Sequence, residues 1–259
     1  MKSDSEKPML SIITVCRNEV SRIQTTINSI LHQSNMDFEW IVVDGASSDG
    51  TLDRIHAQQP PRTILITGPD KGIYDAMNKG VRLAHGTYLL FLNAGDWLAD
   101  DRVLEDFTRQ SPREDLVIAD ILIRYPDGRE QYRPSAACGA DRDYLYWRSL
   151  PHQATFIRRS LFASYGDFDT SFRIAADWEF FARTILRHNA SVLKWPRCAT
   201  VFPNDGFSAD PANVHIRNQD RCRIRRRHFP LHYRVRRNCN ENWGRLITWL
   251  RNHMNPLSP

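Results

Sequence analysis

The stretch Tyr88-Leu89-Leu90-Phe91-Leu92-Asn93-Ala94-Gly95-Asp96 is apolar as far as Leu92, then turns abruptly into an amide, a small pair and a carboxylate. The apolar part reads as a buried strand. A strand that releases polar and acidic side chains from its C-terminal end is the usual way an α/β fold builds a ligand site. The oxygen-rich tip suits a hard divalent cation such as Mg²⁺ or Mn²⁺, and such cations commonly hold substrate diphosphates. Asn-Ala-Gly-Asp is also ordinary turn chemistry. The segment alone fits either reading, and its neighbours decide.

Upstream the same design repeats. LSIITV (Leu10 to Val15), EWIVVD (Glu39 to Asp44) and TILITG (Thr63 to Gly68) are short, nearly continuous apolar runs rich in β-branched residues. Between them, Val20, Ile23, Ile27, Ile30 and Leu31 fall at helical spacing, and Thr51 to Gln58 reads as a short helix ended by Pro60 and Pro61. Ile73 to Ala84 reads as a helix with Ile73, Met77, Val81 and Ala84 on one face. Strand and helix in alternation predict a parallel sheet covered on both faces. Downstream the pattern loosens. Asp115 to Tyr125, a Pro-Asp-Gly turn and REQYRP predict a hairpin, HQATFI (His152 to Ile157) a strand, and Ala176 to Arg187 a helix carrying Phe180, Phe181, Thr184 and Ile185.

Composition narrows the class. With 41% hydrophobic and 25% charged residues the chain has an ordinary globular balance, and no apolar run reaches the ~20 residues needed to cross a bilayer. The polar N-terminus MKSDSEKPML lacks a secretory apolar core, which predicts a cytoplasmic protein. Five scattered cysteines without a C-x-x-C pair argue against a disulfide framework or zinc site. Charge is uneven: eleven Arg and two acids between Ile216 and Arg251 give +9, so the rest of the +5 chain sums to −4. Arg beside Phe229, Leu231, Tyr233 and Val235 suits an anionic membrane surface, with a solvated helix as the plain alternative. Further on, Trp243, Leu246, Ile247 and Leu250 form an apolar stripe. Nothing else resembles a nucleic-acid module, so no nucleic-acid partner is expected.

Acids stand at or near three strand ends: Asp44, Asp70 and Asp96. Carboxylates crowded along one crevice need a cation or a ligand rich in donors. Asp44, at a strand end, is expected to meet a nucleoside, while Asp49 is read as the N-cap of the following helix. Thr14 to Glu19 contains no glycine, so the G-x-G-x-x-G of a dinucleotide site is missing and NAD or FAD is disfavoured.

LSIITVCRNE, IVVDGASSDGT and GPDKGIYDAMNKGVRLAHGTYLLFLNAGD, in this order, resemble the family 2 glycosyltransferases, closely from Leu10 to Asp96 and more loosely to Ser208. Within that family the likeness is to bacterial enzymes that assemble exopolysaccharide, capsule or O-antigen. The resemblance implies a GT-A fold: a Rossmann-like, mostly parallel sheet flanked by helices, a mixed acceptor-side half and a basic helical tail. It divides the chain into a disordered N-terminus (1–9), a glycosyltransferase domain (10–210, with a nucleotide-sugar half at 10–98 and an acceptor half at 99–210) and a tail (211–259).

By position, the resemblance implies that Thr14, Arg17 and Glu19 contact the nucleotide, and that Asp44 reads the base with Ser47 nearby. Asp70 and Lys71 approach the ribose and diphosphate, Asn78 faces the sugar, Asn93 and Ala94 lie on the donor, and Asp96 holds Mg²⁺ or Mn²⁺. Asn93 stands where many members carry Asp. Asp177 matches the catalytic acid, a base for an inverting transfer; a helix N-cap is the alternative reading, and Glu179 is expected to point away. His152 and Gln153 fall near the acceptor and diphosphate, as does the later Asp205-Gly206-Phe207-Ser208, while His152 is equally readable as a structural histidine. Trp178 and Trp147 suit either stacking on a sugar or the core. The expected partners are a nucleoside-diphosphate sugar and a saccharide or lipid-linked saccharide acceptor, met on the inner face of the membrane. A nucleotidyltransferase and a non-catalytic nucleotide-sugar binder are the rivals.

Overall fold

The computed structural model describes residues 7–206 and 209–235. Strands β1 (Leu10–Cys16), β2 (Phe38–Asp44), β3 (Thr63–Thr67) and β4 (Tyr88–Phe91) pair in parallel in the order β3-β2-β1-β4. Helices α1 (Ile23–Leu31), α2 (Thr51–Ala57) and α3 (Ile73–Leu83) connect them. The strands are apolar on both faces and therefore fill two cores. Ile13, Val15, Ile41, Val43 and Phe91 pack with Met77 and Val81 of α3. Ile12, Trp40, Val42 and Leu90 pack with Ile23, Ile27 and Ile30 of α1 on the other side. Alternation along each strand separates the two sets, and the common direction brings all four C-terminal ends to one edge.

The rest of the chain extends the same sheet. It comprises β5 (Trp97–Leu98), α4 (Val103–Gln110), β6 (Leu116–Arg124), β7 (Glu130–Arg133), α5 (Arg142–Trp147), β8 (Thr155–Arg158), α6 (Ser160–Tyr165), α7 (Ala176–His188), β9 (Val192–Pro203) and α8 (Val214–His228). β8 runs antiparallel beside β4, and the order continues through β6 and β9 to β5. β7 makes the predicted hairpin with β6.

Several boundaries differ from the sequence reading. His152 to Ala154 form a 3-10 turn instead of the start of a strand, because the Pro151 carbonyl accepts from Ala154 N–H (3.0 Å) and Thr155 Oγ1 (2.7 Å). α1 begins at Ile23, since Val20 N–H is bound to Asp49 Oδ2 (3.0 Å). The buried face of α3 is Tyr74, Met77 and Val81, and Ile73 is exposed. Ahead of Leu10, the Pro8 and Met9 carbonyls accept from Thr87 and Tyr88 N–H (3.2 and 3.0 Å), so order begins before residue 10; residues 1–6 lie outside the described residues.

The expected tail is not separate either. α8 lies on α7, with Ile224 and Phe229 buried in the core on that side of the sheet. The stripe Trp243 to Leu250 lies outside the described residues, as do Phe207, Ser208 and Cys239. Among the described residues the cysteines are free thiols, and no helix is long and apolar enough to cross a membrane.

Candidate active site

The Asn93–Asp96 turn is built from two sides. Thr26 Oγ1 on α1 donates to the Asp96 carbonyl (2.7 Å) and accepts from Gly95 N–H (2.9 Å), while Asp96 N–H closes on the Asn93 carbonyl (2.9 Å). Gly95 has φ 96°, and a Cβ there would lie 2.7 Å from the Arg22 guanidinium. Glycine both permits the turn and lets Arg22 lie across it. Arg22 in turn pairs with Asp205 at 2.9 Å and, more loosely, with Glu19 at 3.8 Å. Burial raises the pKa of Glu19 despite Arg22.

A cleft of about 790 Å³ opens at this edge, between the strand ends and the start of α7. Arg17, Glu19, Asp70, Lys71, Asn93, Ala94 and Asp96 line it from the first half, and His152, Gln153, Asp177 and Trp178 from the second. Asp70 is paired with Lys79, so it is a neutralised part of the wall. Trp178 is buried with its indole N–H on the Leu145 carbonyl (2.8 Å), which makes it core with one edge on the cleft. Trp147 packs on Tyr146 and lies outside this cleft.

Four predicted residues are not brought to the wall. Thr14 is buried, donating to the Leu92 carbonyl (2.8 Å) and accepting from Trp40 Nε1 (2.8 Å). Asn78 clamps the peptide of Phe168, donating to its carbonyl (2.9 Å) and accepting from its N–H (3.0 Å). Asp44 is fully buried, accepting from Ser47 N–H (2.9 Å) and Thr67 Oγ1 (2.7 Å). Burial alone would raise its pKa, but these hydrogen bonds outweigh it and hold the carboxyl below the usual range. Ser47 accepts from Asn18 N–H (2.8 Å) and so braces the loop after β1. Asp49 does similar work, and the α2 N-cap is Gly50 at φ 96°. Hydroxyl and amide side chains near a sheet edge are spent on fixing loop shape before any ligand arrives.

Asp177 sits in the first turn of α7 and faces the cleft at 8% exposure. Its Oδ1 lies 2.9 Å from the Tyr74 hydroxyl, its Oδ2 3.1 Å from His152 Nδ1 and 3.5 Å from Ser149 Oγ. Asp177 does not cap the helix; the N-cap is Ala175. The turn that leads into the helix is held from α8, where Asp220 Oδ2 accepts from the N–H groups of Arg173, Ile174 and Ala175 (3.0, 2.9 and 3.3 Å). This leaves the Asp177 carboxylate free for the cleft. Glu179 points away, fully buried against His228 and Arg183.

His152 is bound to Asp177 and feels the charge of Asp96. Burial opposes a charged ring, yet the hydrogen bond to Asp177 and the charges of Asp177 and Asp96 outweigh it and raise its pKa. On its other side Nε2 lies 3.5 Å from Asn93 Nδ2. Asp96 has its pKa pushed up to about 7, chiefly by burial and against the pull of His152 and Arg22. Asn93 Oδ1, in the same turn, is buried without a hydrogen-bond partner. A desolvated carboxyl and an orphaned amide oxygen are hard donors that fit a divalent cation. No group of three or more His, Cys, Asp or Glu among the described residues could hold one unaided, so ligand phosphate and water would complete the shell. Tyr74, Arg22 and Asp220 are the residues that sequence reasoning missed. Tyr74 stood within a matched block, whereas the other two act across elements.

A model of the family described as "Glycosyl transferase family 2" matches residues 11–176. The chain belongs to that family. It is similar to a "PGL/p-HBAD biosynthesis glycosyltransferase" of Mycobacterium bovis, with 39% identity over 68% of this chain and 69% of that protein. It is also similar to the "Putative glycosyltransferase EpsH" of Bacillus subtilis, with 26% identity over 70% and 58%. Among solved structures, a mannosyltransferase from Pyrobaculum calidifontis in complex with GDP-Man and Mn²⁺ matches with TM-score 0.62 and 19% identity, over 83% of this chain and 62% of that one. The S. aureus TarS 1–349 complex with UDP gives 0.60 and 20%, over 75% and 60%. The chain is thus a glycosyltransferase with the GT-A fold.

Proposed function

We propose that this glycosyltransferase is inverting, and that it moves a sugar from a nucleoside-diphosphate sugar to a hydroxyl of a saccharide acceptor in bacterial surface polysaccharide biosynthesis. The observation that carries the reading is Asp177: a carboxylate fixed by Tyr74 and His152, almost dry, and facing a cleft whose other wall bears Asp96. UDP, GDP-Man and Mn²⁺ in the neighbouring structures support the donor class and the metal.

Arg17, Arg22 and Lys71 supply positive charge where a diphosphate would lie. The acceptor oxygen attacks the anomeric carbon while Asp177 takes its proton, and the bond from that carbon to the diphosphate oxygen breaks on the opposite face, which inverts the configuration. Tyr74 and His152 hold the carboxylate in one orientation throughout. A Mg²⁺ or Mn²⁺ ion held by Asp96 and the Asn93 amide oxygen would neutralise charge on the leaving diphosphate. A lipid-linked acceptor at the cytoplasmic membrane face suits the basic residues beyond Pro211.

Asp177→Asn is the test. It keeps the shape and removes the base, so kcat should fall by about 10²–10⁴-fold with nucleotide affinity nearly unchanged. Wild-type turnover in this variant would refute the assignment. The donor is found beforehand by nucleotide release from UDP-, GDP-, dTDP- and CMP-sugars with Mn²⁺, Mg²⁺ or EDTA.

A further inference from the structure

α8 carries two sets of arginines, and the fold treats them differently. Arg223 and Arg227 are neutralised: Arg223 by Asp220 at 3.7 Å, Arg227 by Asp169 at 2.6 Å and Glu179 at 3.7 Å. Arg217, Arg221 and Arg225 follow one another at four-residue spacing, which stacks them along one side of the helix. Arg217 and Arg221 line the cleft. Arg221 and Arg225, with Trp147 and Asn218, line a second hollow of about 290 Å³. Arg221 therefore joins the two spaces.

Among the described residues no carboxylate pairs with Arg221 or Arg225. They rest on aromatic faces instead. Arg221 lies over Trp178 at 5.7 Å, and Arg225 over Tyr146 and Trp147 at 4.6 and 4.8 Å, with its Nε–H on the Tyr146 carbonyl (2.9 Å). Burial, then the like charges of Arg225 and Arg217, lower the pKa of Arg221. Like charges at this spacing destabilise a helix, and an anion bridging them would remove that repulsion. Guanidinium groups propped on rings keep their N–H edges for a tetrahedral oxyanion. Adjacent arginines of the row rise about 6 Å along the axis, a span that a diphosphate or two phosphate oxygens can bridge. The donor diphosphate is provided for elsewhere, at the strand ends beside Asp96, Arg17 and Lys71.

We propose that Arg221 and Arg225 form an acceptor subsite for a phosphate or diphosphate, lying past Trp178 and directing the sugar end of the acceptor toward Asp177. The proposal rests on the glycosyl-transfer reading of the cleft and adds the chemical class of the acceptor: a phosphorylated one.

Farnesyl phosphate is a soluble probe of this subsite and farnesol its uncharged counterpart. Binding is measured with the donor nucleotide and Mg²⁺ saturating, so that the donor site is already filled. The expected result is binding of farnesyl phosphate but not farnesol. Arg221→Gln, which removes the guanidinium from its ring contact, should weaken it about tenfold, the scale of a lost charge-assisted hydrogen bond. Arg226→Gln removes the same charge from another side of α8 and should change it by less than about twofold. Equal losses in the two variants, or no binding of farnesyl phosphate, would overturn the subsite.

Phosphatidylcholine vesicles doped with polyprenyl phosphate, or with phosphatidylglycerol at equal charge, separate the sources. Preference for the polyprenyl phosphate, lost in Arg221→Gln, assigns a lipid headgroup. Binding of the soluble probe without vesicle binding assigns a soluble phosphorylated acceptor. Donor turnover is followed in parallel: failure of the subsite with turnover intact leaves the transfer reading standing, and absence of turnover with every donor strikes at that reading instead.

Discussion

Asp96 is costly to the free protein and suited to the loaded one. Its pKa is pushed from 3.8 to about 7, chiefly by burial. Between those two values the folded chain holds a proton that the unfolded chain has released. Stability of the metal-free protein therefore falls as pH rises through that window and levels off above it, by roughly 1.4 kcal/mol for each pH unit crossed. Asp96→Asn should flatten this slope and leave the metal-free variant more stable than wild type above about pH 7. Mn²⁺ or Mg²⁺ with nucleotide should raise the wild-type Tm there and leave the variant nearly unmoved. Denaturant titrations across the window check the slope, and an unchanged slope in the variant would reject the burial argument. Asp96 was legible as a candidate because a carboxylate at a strand end is a local pattern. The second hard donor, Asn93 Oδ1, was visible only as a missing Asp, since an unpartnered oxygen is a property of packing.

At the scale of the helix, Asp220 holds what Asp177 uses. Arg173, Ile174 and Ala175 lead into α7, and their three N–H groups converge on one Asp220 oxygen contributed by α8; buried donors of this kind need a partner. Asp220→Ala should cost about 1–3 kcal/mol for the stranded donors. It should also lower kcat more than nucleotide affinity, because the loosened turn carries Asp177 and not the donor wall. Asp220→Asn, which keeps an accepting oxygen, should recover part of both. Thermal unfolding beside steady-state kinetics reads the two effects, and an unaffected kcat in the alanine variant would separate the Asp220 contact from the base. The sequence could not reveal this contact, because Asp220 is remote in sequence from the turn it holds. It appeared only as one of two acids in a basic stretch. The four parallel strands and the β6–β7 hairpin were legible from apolar runs and turn chemistry. β5 was not, being only Trp97 and Leu98, and β9 hid its period behind Lys194, Pro196 and Arg197.

For the whole molecule, the division into domain and tail fails on energetic grounds. One sheet runs through both halves: β4 pairs with β8, and β5, at the end of the first half, pairs with β9 of the second. α8 then completes the core over α7. Ending the chain after Asp210 would uncover the pocket filled by Ile224 and Phe229, which are 0% and 2% exposed, at about 1.5–3 kcal/mol for each side chain. It would take Asp220 from the turn that leads into α7. It would also take the His228 ring from Glu179, 2.9 Å away, leaving Arg183 as its remaining partner. Together these match or exceed much of the roughly 5–15 kcal/mol net stability of a typical fold. The fragment 1–210 should therefore lack a cooperative thermal transition and bind no donor nucleotide. A tail that served only to dock on a membrane would give the opposite result, a fragment with near wild-type Tm and intact donor hydrolysis. Circular dichroism melting of the two chains side by side decides between them.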